Sequence, residues 1–304
     1  MTDTISIITV NYNGFDVTCG MIESLAAHMD TPYELIVVDN GSEKDEAAML
    51  AARYPHIRAI RSLQNLGFAG GNNIGMRAAS GRYLFFLNND TFITDNSVRH
   101  LRETLDSHPE TGCVCPKIKF ASDGNPVQFA GYTALSSVTL RNSLIGFGCT
   151  DDGRFDTPAV TPYAHGAAMM VRRETVEKAG PMPEMYFLYY EELDWSERIK
   201  EAGYDIRYEP RCTVYHMESR TTGADSPLKA FYLTRNRLLF ASRNRRGIKK
   251  ILSLAYLSTV APAKNAISYL MKGRRDLAQA VARGVSAFAS ANRKTGKNMQ
   301  KTEI

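Results

Sequence analysis

Between Ile5 and Thr91 the chain repeats one pattern: a short apolar run that ends in polar or small residues, followed by an amphipathic stretch. The runs are "ISIITV" (5–10), "ELIVVD" (34–39), the weaker "IRAIRS" (57–62) and "RYLFFL" (82–87). The strongest are apolar at consecutive positions, as strands are when both faces of a sheet are covered. Residues 15–28 place Phe15, Val17, Met21, Ile22 and Leu25 at helical spacing, Pro55 closes a second helix after "NGS", and "NLGFAGGNNIG" reads as a Gly-rich turn opening a third. Strands alternating with helices at this interval predict an α/β fold with a mostly parallel sheet flanked by helices. In such a sheet the carboxyl ends of the strands share one edge, where ligands are usually held.

From 113 to 171 the pattern loosens into short strands, "CVCPKIKF" and "AAMMVRR", separated by Gly, Ser, Asp and Pro, a composition suited to substrate-facing loops. A helix is expected from 191 to 202 with Gly203 as its stop, and "YDIRYEPRCTVYH" reads as strand, turn, strand. Beyond "LKAFYLTRNRLLFASRN" the chain becomes helical, basic and Ala-rich, with a kink expected at Pro262. Residues 241–304 hold 14 Lys and Arg against 2 Asp and Glu, while the preceding 240 carry a net −7. Such asymmetry points to an anionic partner for the tail. Five scattered cysteines without a CxxC pair favour reduced thiols. The N-terminus lacks a signal-peptide pattern and no uncharged run reaches membrane-span length, so a cytoplasmic location is expected.

Several residues are candidates for chemistry. Asp39 and Asp90 each follow a strand and could converge on one ligand; Mg2+ asks for one or two carboxylates plus substrate phosphate oxygens. The competing reading is that both are ordinary turn residues. The acids Glu191, Glu192 and Asp194 follow the aromatic "MYFLYY", where an apolar wall and like charges favour a general base. Acids also belong in a first helical turn, opposite the dipole. His216 ends the last strand signal and becomes a ligand only if a metal is near. Arg235 and Arg237 of "RNR" suit phosphate contact, or equally a structural role.

Taken together, "IITVNYNG", "ELIVVDNGS", "NLGFAGGNNIG", "YLFFLNNDT", "HGAAMMVRRE", "FLYYEELDW" and "FYLTRNRL" resemble, in order, the family 2 glycosyltransferases of the GT-A fold, and in particular their rhamnosyltransferase-like branch. The resemblance covers about residues 5 to 240. It implies a GT-A catalytic domain over 1–240 followed by a basic amphipathic helical region over 241–304.

The resemblance also implies roles. Asn11 and Asp39 would hold the base and ribose of a nucleotide-sugar donor, with Asn65, Gly67 and Phe68 assisting. "NND" stands where the family carries its DxD motif, so Asn88 takes the first acidic place, Asn89 the middle one, and Asp90 is the carboxylate for Mg2+ or Mn2+, with His216 as the later ligand. "EELDW" matches the family's "EDxD" segment, which makes Glu192 the catalytic base and Asp194 the reserve candidate. The implied activity is single-displacement, inverting transfer from a dTDP- or UDP-linked sugar to a glycan or lipid-linked acceptor, with rhamnose from dTDP-rhamnose as first choice, in cell-surface polysaccharide synthesis. A nicotinamide oxidoreductase would instead place GxGxxG after the first strand, where "VNYNGFDVTCG" stands, and a non-catalytic sugar-binding protein would be expected to lose the base.

The tail carries an apolar helical face of Ile248, Ile251, Leu252, Ala255, Leu257 and Val260 beside Arg245, Arg246, Lys249 and Lys250. This composition fits peripheral attachment to the inner face of the cytoplasmic membrane; packing on the catalytic domain would use the same apolar face. Nucleic acid is disfavoured because no recognised binding module accompanies the charge.

Overall fold

The computed structural model describes residues 2–217 and 226–300, with side chains over 4–217 and 226–290. Residues 301–304, the end of the basic stretch, lie outside the described residues. The first elements are β1 (Thr2–Asn11), α1 (Phe15–His28), β2 (Tyr33–Asn40), α2 (Glu46–Arg53), β3 (Arg58–Ser62), α3 (Gly67–Ala78) and β4 (Gly81–Leu87). Then come β5 (Thr91–Phe92), α4 (Arg99–Ser107), β6 (Thr111–Phe120), β7 (Val127–Phe129), β8 (Ala159–Val160), β9 (Ala168–Arg172), α5 (Arg173–Ala179), a 3-10 turn (Glu184–Tyr186), α6 (Glu191–Glu201) and β10 (Asp205–His216). Four helices follow: α7 (Pro227–Asn244), α8 (Gly247–Ser258), α9 (Val260–Met271) and α10 (Arg275–Gln300). α7 runs without interruption through position 240.

Two compact units result, one comprising Met1–Ala134, Ser143–Phe187 and Glu191–Glu218, the other Leu135–Asn142, Leu188–Tyr190 and Ser219–Ile304. The first is built on a sheet of order β3-β2-β1-β4-β9-β6-β10-β5, with β7 on β6 and β8 on β10. β1 pairs in parallel with β2 and β4, β2 with β3, and β6 with β10, whereas β9 runs antiparallel to β4 and β6. Parallel pairing aligns the carboxyl ends of β1 and β2 so that Asn11 lies opposite Asp39. Ile7, Ile8, Ile36–Val38, Leu84–Phe86 and Ala168–Val171 are fully buried, which is why these strands read as unbroken apolar runs.

The glycines of "NLGFAGGNNIG" lie within α3 rather than in a turn before it. They serve close packing: an added Cβ would lie 2.8 Å from Val10 Cγ1 at Gly71 and 2.4 Å from Ile8 Cγ2 at Gly75. Side chains at these positions would push the helix off β1. Gly67 differs in having φ of +73, and an added Cβ would sit 2.1 Å from the Phe187 carbonyl oxygen.

Three elements depart from the sequence expectation. "YDIRYEPRCTVYH" is one strand with no turn: the slip around Pro210 is absorbed as a bulge, Glu209 pairing with Pro116 and Thr213 with Lys117. The bulge is held from inside, because buried Glu209 accepts from Arg211 Nε at 2.9 Å and from Thr104 Oγ1 of α4 at 2.6 Å. α4 itself was not expected, since only Leu101, Thr104 and Leu105 are buried on an otherwise polar helix. In the tail the chain breaks at Thr259 between α8 and α9, and Pro262 occupies the first turn of α9, where a missing N–H costs nothing.

The helical unit has a small core of Ala230, Leu277, Ala280 and Val281, bordered by Phe231 and Tyr269. Gly284 lets α10 approach α7, since a Cβ there would lie 2.8 Å from the Phe231 carbonyl oxygen. Among the described residues no helix is long and apolar enough to cross a membrane.

Gly67→Ala should destabilise the sheet-bearing unit by roughly 2 kcal/mol or more, combining a left-handed backbone with a clash against fixed backbone. The single tryptophan, Trp195, is fully buried against Phe86 and reports unfolding of this unit in urea. An unchanged midpoint would contradict the packing described.

Candidate active site

The strand ends of the sheet-bearing unit converge on one edge, but their polar side chains are not equally available. Asn11 is fully buried, its amide nitrogen donating to Glu46 Oε2 at 2.7 Å and its oxygen accepting from Thr18 Oγ1 at 2.8 Å. Asp39, also fully buried, accepts from the Ser42 N–H at 3.1 Å and the Ala47 N–H at 3.4 Å, with Arg61 Nε 3.9 Å away. Both therefore shape the loops after β1 and β2 from beneath. Asn65 does the same for the start of α3: its oxygen accepts from Asn40 Nδ2 at 3.1 Å and from the Gly67 N–H at 2.9 Å. The Phe68 N–H donates to the Phe187 carbonyl at 2.8 Å, tying α3 to the segment before α6.

The end of β4 behaves differently. The Asn88 N–H donates to the Ala167 carbonyl at 2.9 Å, extending the β4–β9 ladder one step beyond the Leu87–Ala168 pair. The Asn88 carbonyl accepts from the Thr91 N–H at 3.2 Å, which closes the turn that presents Asn88, Asn89 and Asp90. Asn89 Nδ2 donates to Thr18 Oγ1 at 3.0 Å, so its side chain belongs to the loop framework. Asp90 keeps some exposure, 16% of its side chain, and its Oδ1 lies 3.1 Å from His216 Nε2. The other imidazole nitrogen, Nδ1, lies 2.9 Å from Gln128 Oε1 on β7.

This pairing tests whether a cation fits. In the tautomer whose Nδ1–H donates to the Gln128 oxygen, Nε2 presents its lone pair beside the Asp90 carboxylate. Two such groups can share a divalent ion, and a hydrogen bond that orients the other ring nitrogen is the usual support for a histidine ligand. Among the described residues no group of three or more His, Cys, Asp and Glu is placed to hold a metal. Two protein ligands match the modest demand of a Mg2+-type site completed by phosphate oxygens. Gln128 carried no sequence signal, being one residue in a strand of three.

The acids after "MYFLYY" separate by environment. Asp194 is 1% exposed, accepting from Tyr186 Oη at 2.6 Å and from Arg198 Nε at 3.2 Å, an anchor for α6. Glu191 is likewise buried. Glu192 is only half-buried and borders a turn of His165, Gly166 and Ala167: a Cβ added to Gly166 would lie 3.6 Å from the Phe68 ring and 4.0 Å from Glu192 Cγ. Phe187, Tyr189 and Tyr190 just before α6 have φ of 66, 68 and 78, left-handed backbone that non-glycine residues rarely adopt. Such strain collects at functional sites.

The same turn links the two groups of acids. Tyr132 stacks on His165 with ring centroids 6.1 Å apart, and its phenol is pushed well up by burial and then by the charge of Glu192. Burial, with His216 acting in the same direction, lowers His165 to about 3, so it stays neutral at physiological pH. Arg235 and Arg237 lie on α7 in the helical unit. Arg235 donates from Nε to Asn236 Oδ1 at 2.8 Å.

The Glycosyl transferase family 2 signature matches residues 6–180, more than half of the 304-residue chain. A low-salt glycan biosynthesis hexosyltransferase from Haloferax volcanii is 27% identical over 247 residues, 79% of this chain and 76% of its own. An N-acetylglucosaminyl-diphospho-decaprenol L-rhamnosyltransferase from Mycobacterium tuberculosis is 25% identical over 248 residues, 74% of this chain and 80% of its own. Among solved structures, the mannosyltransferase PcManGT from Pyrobaculum calidifontis, in complex with GDP-Man and Mn2+, superposes with a TM-score of 0.57 at 18% identity. That match covers 97% of this chain and 79% of the mannosyltransferase. GalNAc-T7 with UDP, GalNAc and Mn2+ superposes with a TM-score of 0.60 at 17% identity, over 86% of this chain and 57% of its own. The fold is the mixed α/β fold of the GT-A glycosyltransferases, and the chain belongs to glycosyl transferase family 2.

Proposed function

We propose that the chain is an inverting transferase in which Glu192 is the general base and Asp90 with His216 faces the donor diphosphate. The observation that carries this reading is the His165–Ala167 turn. It receives the Asn88 N–H at its Ala167 carbonyl and borders Glu192 at Gly166, so Glu192 and the start of the turn that carries Asp90 lie against three consecutive residues. Of the acids Glu191, Glu192 and Asp194, Glu192 is the one that is not buried.

In this reading Glu192 takes the proton of an acceptor hydroxyl. The acceptor oxygen forms its bond to the anomeric carbon on the face opposite the nucleoside diphosphate, and the carbon–oxygen bond to the diphosphate breaks, inverting the centre. No covalent enzyme intermediate is formed. Asp90 and His216 would hold Mg2+ or Mn2+, which when bound supplies positive charge to the departing diphosphate. Asn11, Asp39, Asn65, Gly67 and Phe68 hold the loops that would enclose the nucleoside, with Asn88 and Asn89 at the diphosphate edge. Catalytic residues precede position 240 and the basic extension follows it.

For the donor we favour dTDP-rhamnose, with UDP-linked hexoses as the alternative, and for the acceptor a glycan or lipid-linked hydroxyl. Support comes from the mycobacterial relative, whose name pairs L-rhamnose with a diphospho-decaprenol carrier. Release of dTDP, UDP or GDP from a panel of nucleotide sugars, with and without EDTA, tests the reading. We expect one donor to be turned over, EDTA to suppress it, and Glu192→Gln to lower the rate about 10²- to 10⁴-fold while nucleotide binding persists. No turnover together with no nucleotide binding would sink the reading.

The extension would bring the enzyme to an anionic membrane surface from the cytoplasmic side. On α8 and α9, Ile248, Ile251, Ile267 and Met271 are exposed beside Lys249 and Lys250, whereas Leu257, expected on the same face, is turned inward. This is the combination an interfacial helix presents. Replacing Ile248 and Ile251 together by Asp should weaken sedimentation with anionic vesicles about tenfold or more, each buried aliphatic side chain being worth roughly 1.5–3 kcal/mol. Unchanged sedimentation would contradict membrane attachment.

A further inference from the structure

The helical unit contains a cleft of about 170 Å3 whose walls include Leu233, Leu257, Ala261, Pro262 and Val281. Arg237 of α7 also lines it. One guanidinium nitrogen of Arg237 donates to the Thr139 carbonyl, while Nε is buried without a hydrogen-bond partner. Arg237 forms no ion pair among the described residues, and the other guanidinium acting on it, Arg141, carries the same sign. Burial, the largest influence, lowers its pKa. A bound anion would supply a counter-charge beside the unpartnered Nε.

The cleft is of mixed character, with Thr234, Asn265 and Tyr269 lining it beside Arg237 as well as the aliphatic side chains, a combination that suits a ligand with an anionic, hydrogen-bonding end and hydrocarbon beside it. We propose that this cleft binds a lipid phosphate, Arg237 taking the phosphate group and Leu233, Leu257, Ala261, Pro262 and Val281 the first carbons of the chain. The guanidinium matches phosphate oxygens in geometry as well as charge. A volume of about 170 Å3 admits the headgroup and the adjoining carbons but not a whole lipid, so the remainder of the chain stays outside the cleft. Serving as the acceptor site rests on the transferase reading above; the binding itself does not.

Calorimetric titration of the full-length protein with geranyl phosphate, geraniol and inorganic phosphate tests the proposal. Geranyl phosphate should bind, geraniol and phosphate should bind at least about tenfold more weakly, and Arg237→Gln should weaken geranyl phosphate about 10- to 100-fold, the range for loss of a charge-assisted contact. Ala261→Phe, which fills the apolar wall, should weaken it as well and serves if Arg237→Gln disturbs the helices, as read by circular dichroism. Equal binding of geraniol, tight binding of inorganic phosphate alone, or indifference to both substitutions would overturn it. Nucleoside diphosphate binding measured on the same samples separates failure here from failure of the transferase reading.

Discussion

The hydrogen bond from the Asn88 N–H to the Ala167 carbonyl, 2.9 Å long, sets the geometry on which the candidate site depends. It continues the antiparallel pairing of β4 with β9 past the last residues of both strands. β4 is parallel to β1, so its end lies on the same edge as Asn11 and Asp39; β9 is antiparallel, so its start lies there too. The reversal of β9 thereby brings the turn before it against the end of β4. That contact places Asn88, at the head of the turn that carries Asp90, beside the segment that Glu192 borders at Gly166.

Around this edge, polar side chains divide into those spent on the framework and those left to act. Asn11, Asp39, Asn65 and Asn89 use their side-chain atoms on backbone and neighbouring groups, which holds four loops in place without help from ligand. Asp194 is spent in the same way on Tyr186 and Arg198. Preorganisation of this kind lowers the entropy that binding must overcome. Asp90, with 16% of its side chain exposed beside the His216 imidazole, and the half-buried Glu192 keep more contact with solvent.

The parts legible in sequence are those whose burial is complete on both faces. "ISIITV", "ELIVVD" and "YLFFL" read as strands because every position along them except Val10 and Glu34 is buried. α4 was hidden although Leu101, Thr104 and Leu105 stand at helical spacing, because the buried stripe is only three residues long in a polar segment; Thr104 meets Glu209 at the bulge. That bulge read as a turn because Pro210 suggests a break, whereas three extra residues are accommodated within one strand. The glycines of α3 looked like a loop because their purpose, contact with Ile8 and Val10, lies in another element. For the acids, spacing alone could not separate Glu192 from Asp194; the partners Tyr186 and Arg198 separate them. The cleft around Arg237 was equally invisible, since its walls come from α7, α8, α9 and α10.

In the proposed transferase, Asp90 and His216 form, with a donor diphosphate, the charged half of a site whose other half is Glu192. Diffraction from crystals grown with Mn2+ and a nucleoside diphosphate, with data collected at the manganese edge, tests it most directly. The account predicts one anomalous peak in coordination contact with Asp90 and His216 Nε2 and with the diphosphate oxygens, on the Glu192 side of the His165–Ala167 turn. Nucleotide density with the peak elsewhere, or with neither Asp90 nor His216 in contact, would contradict it.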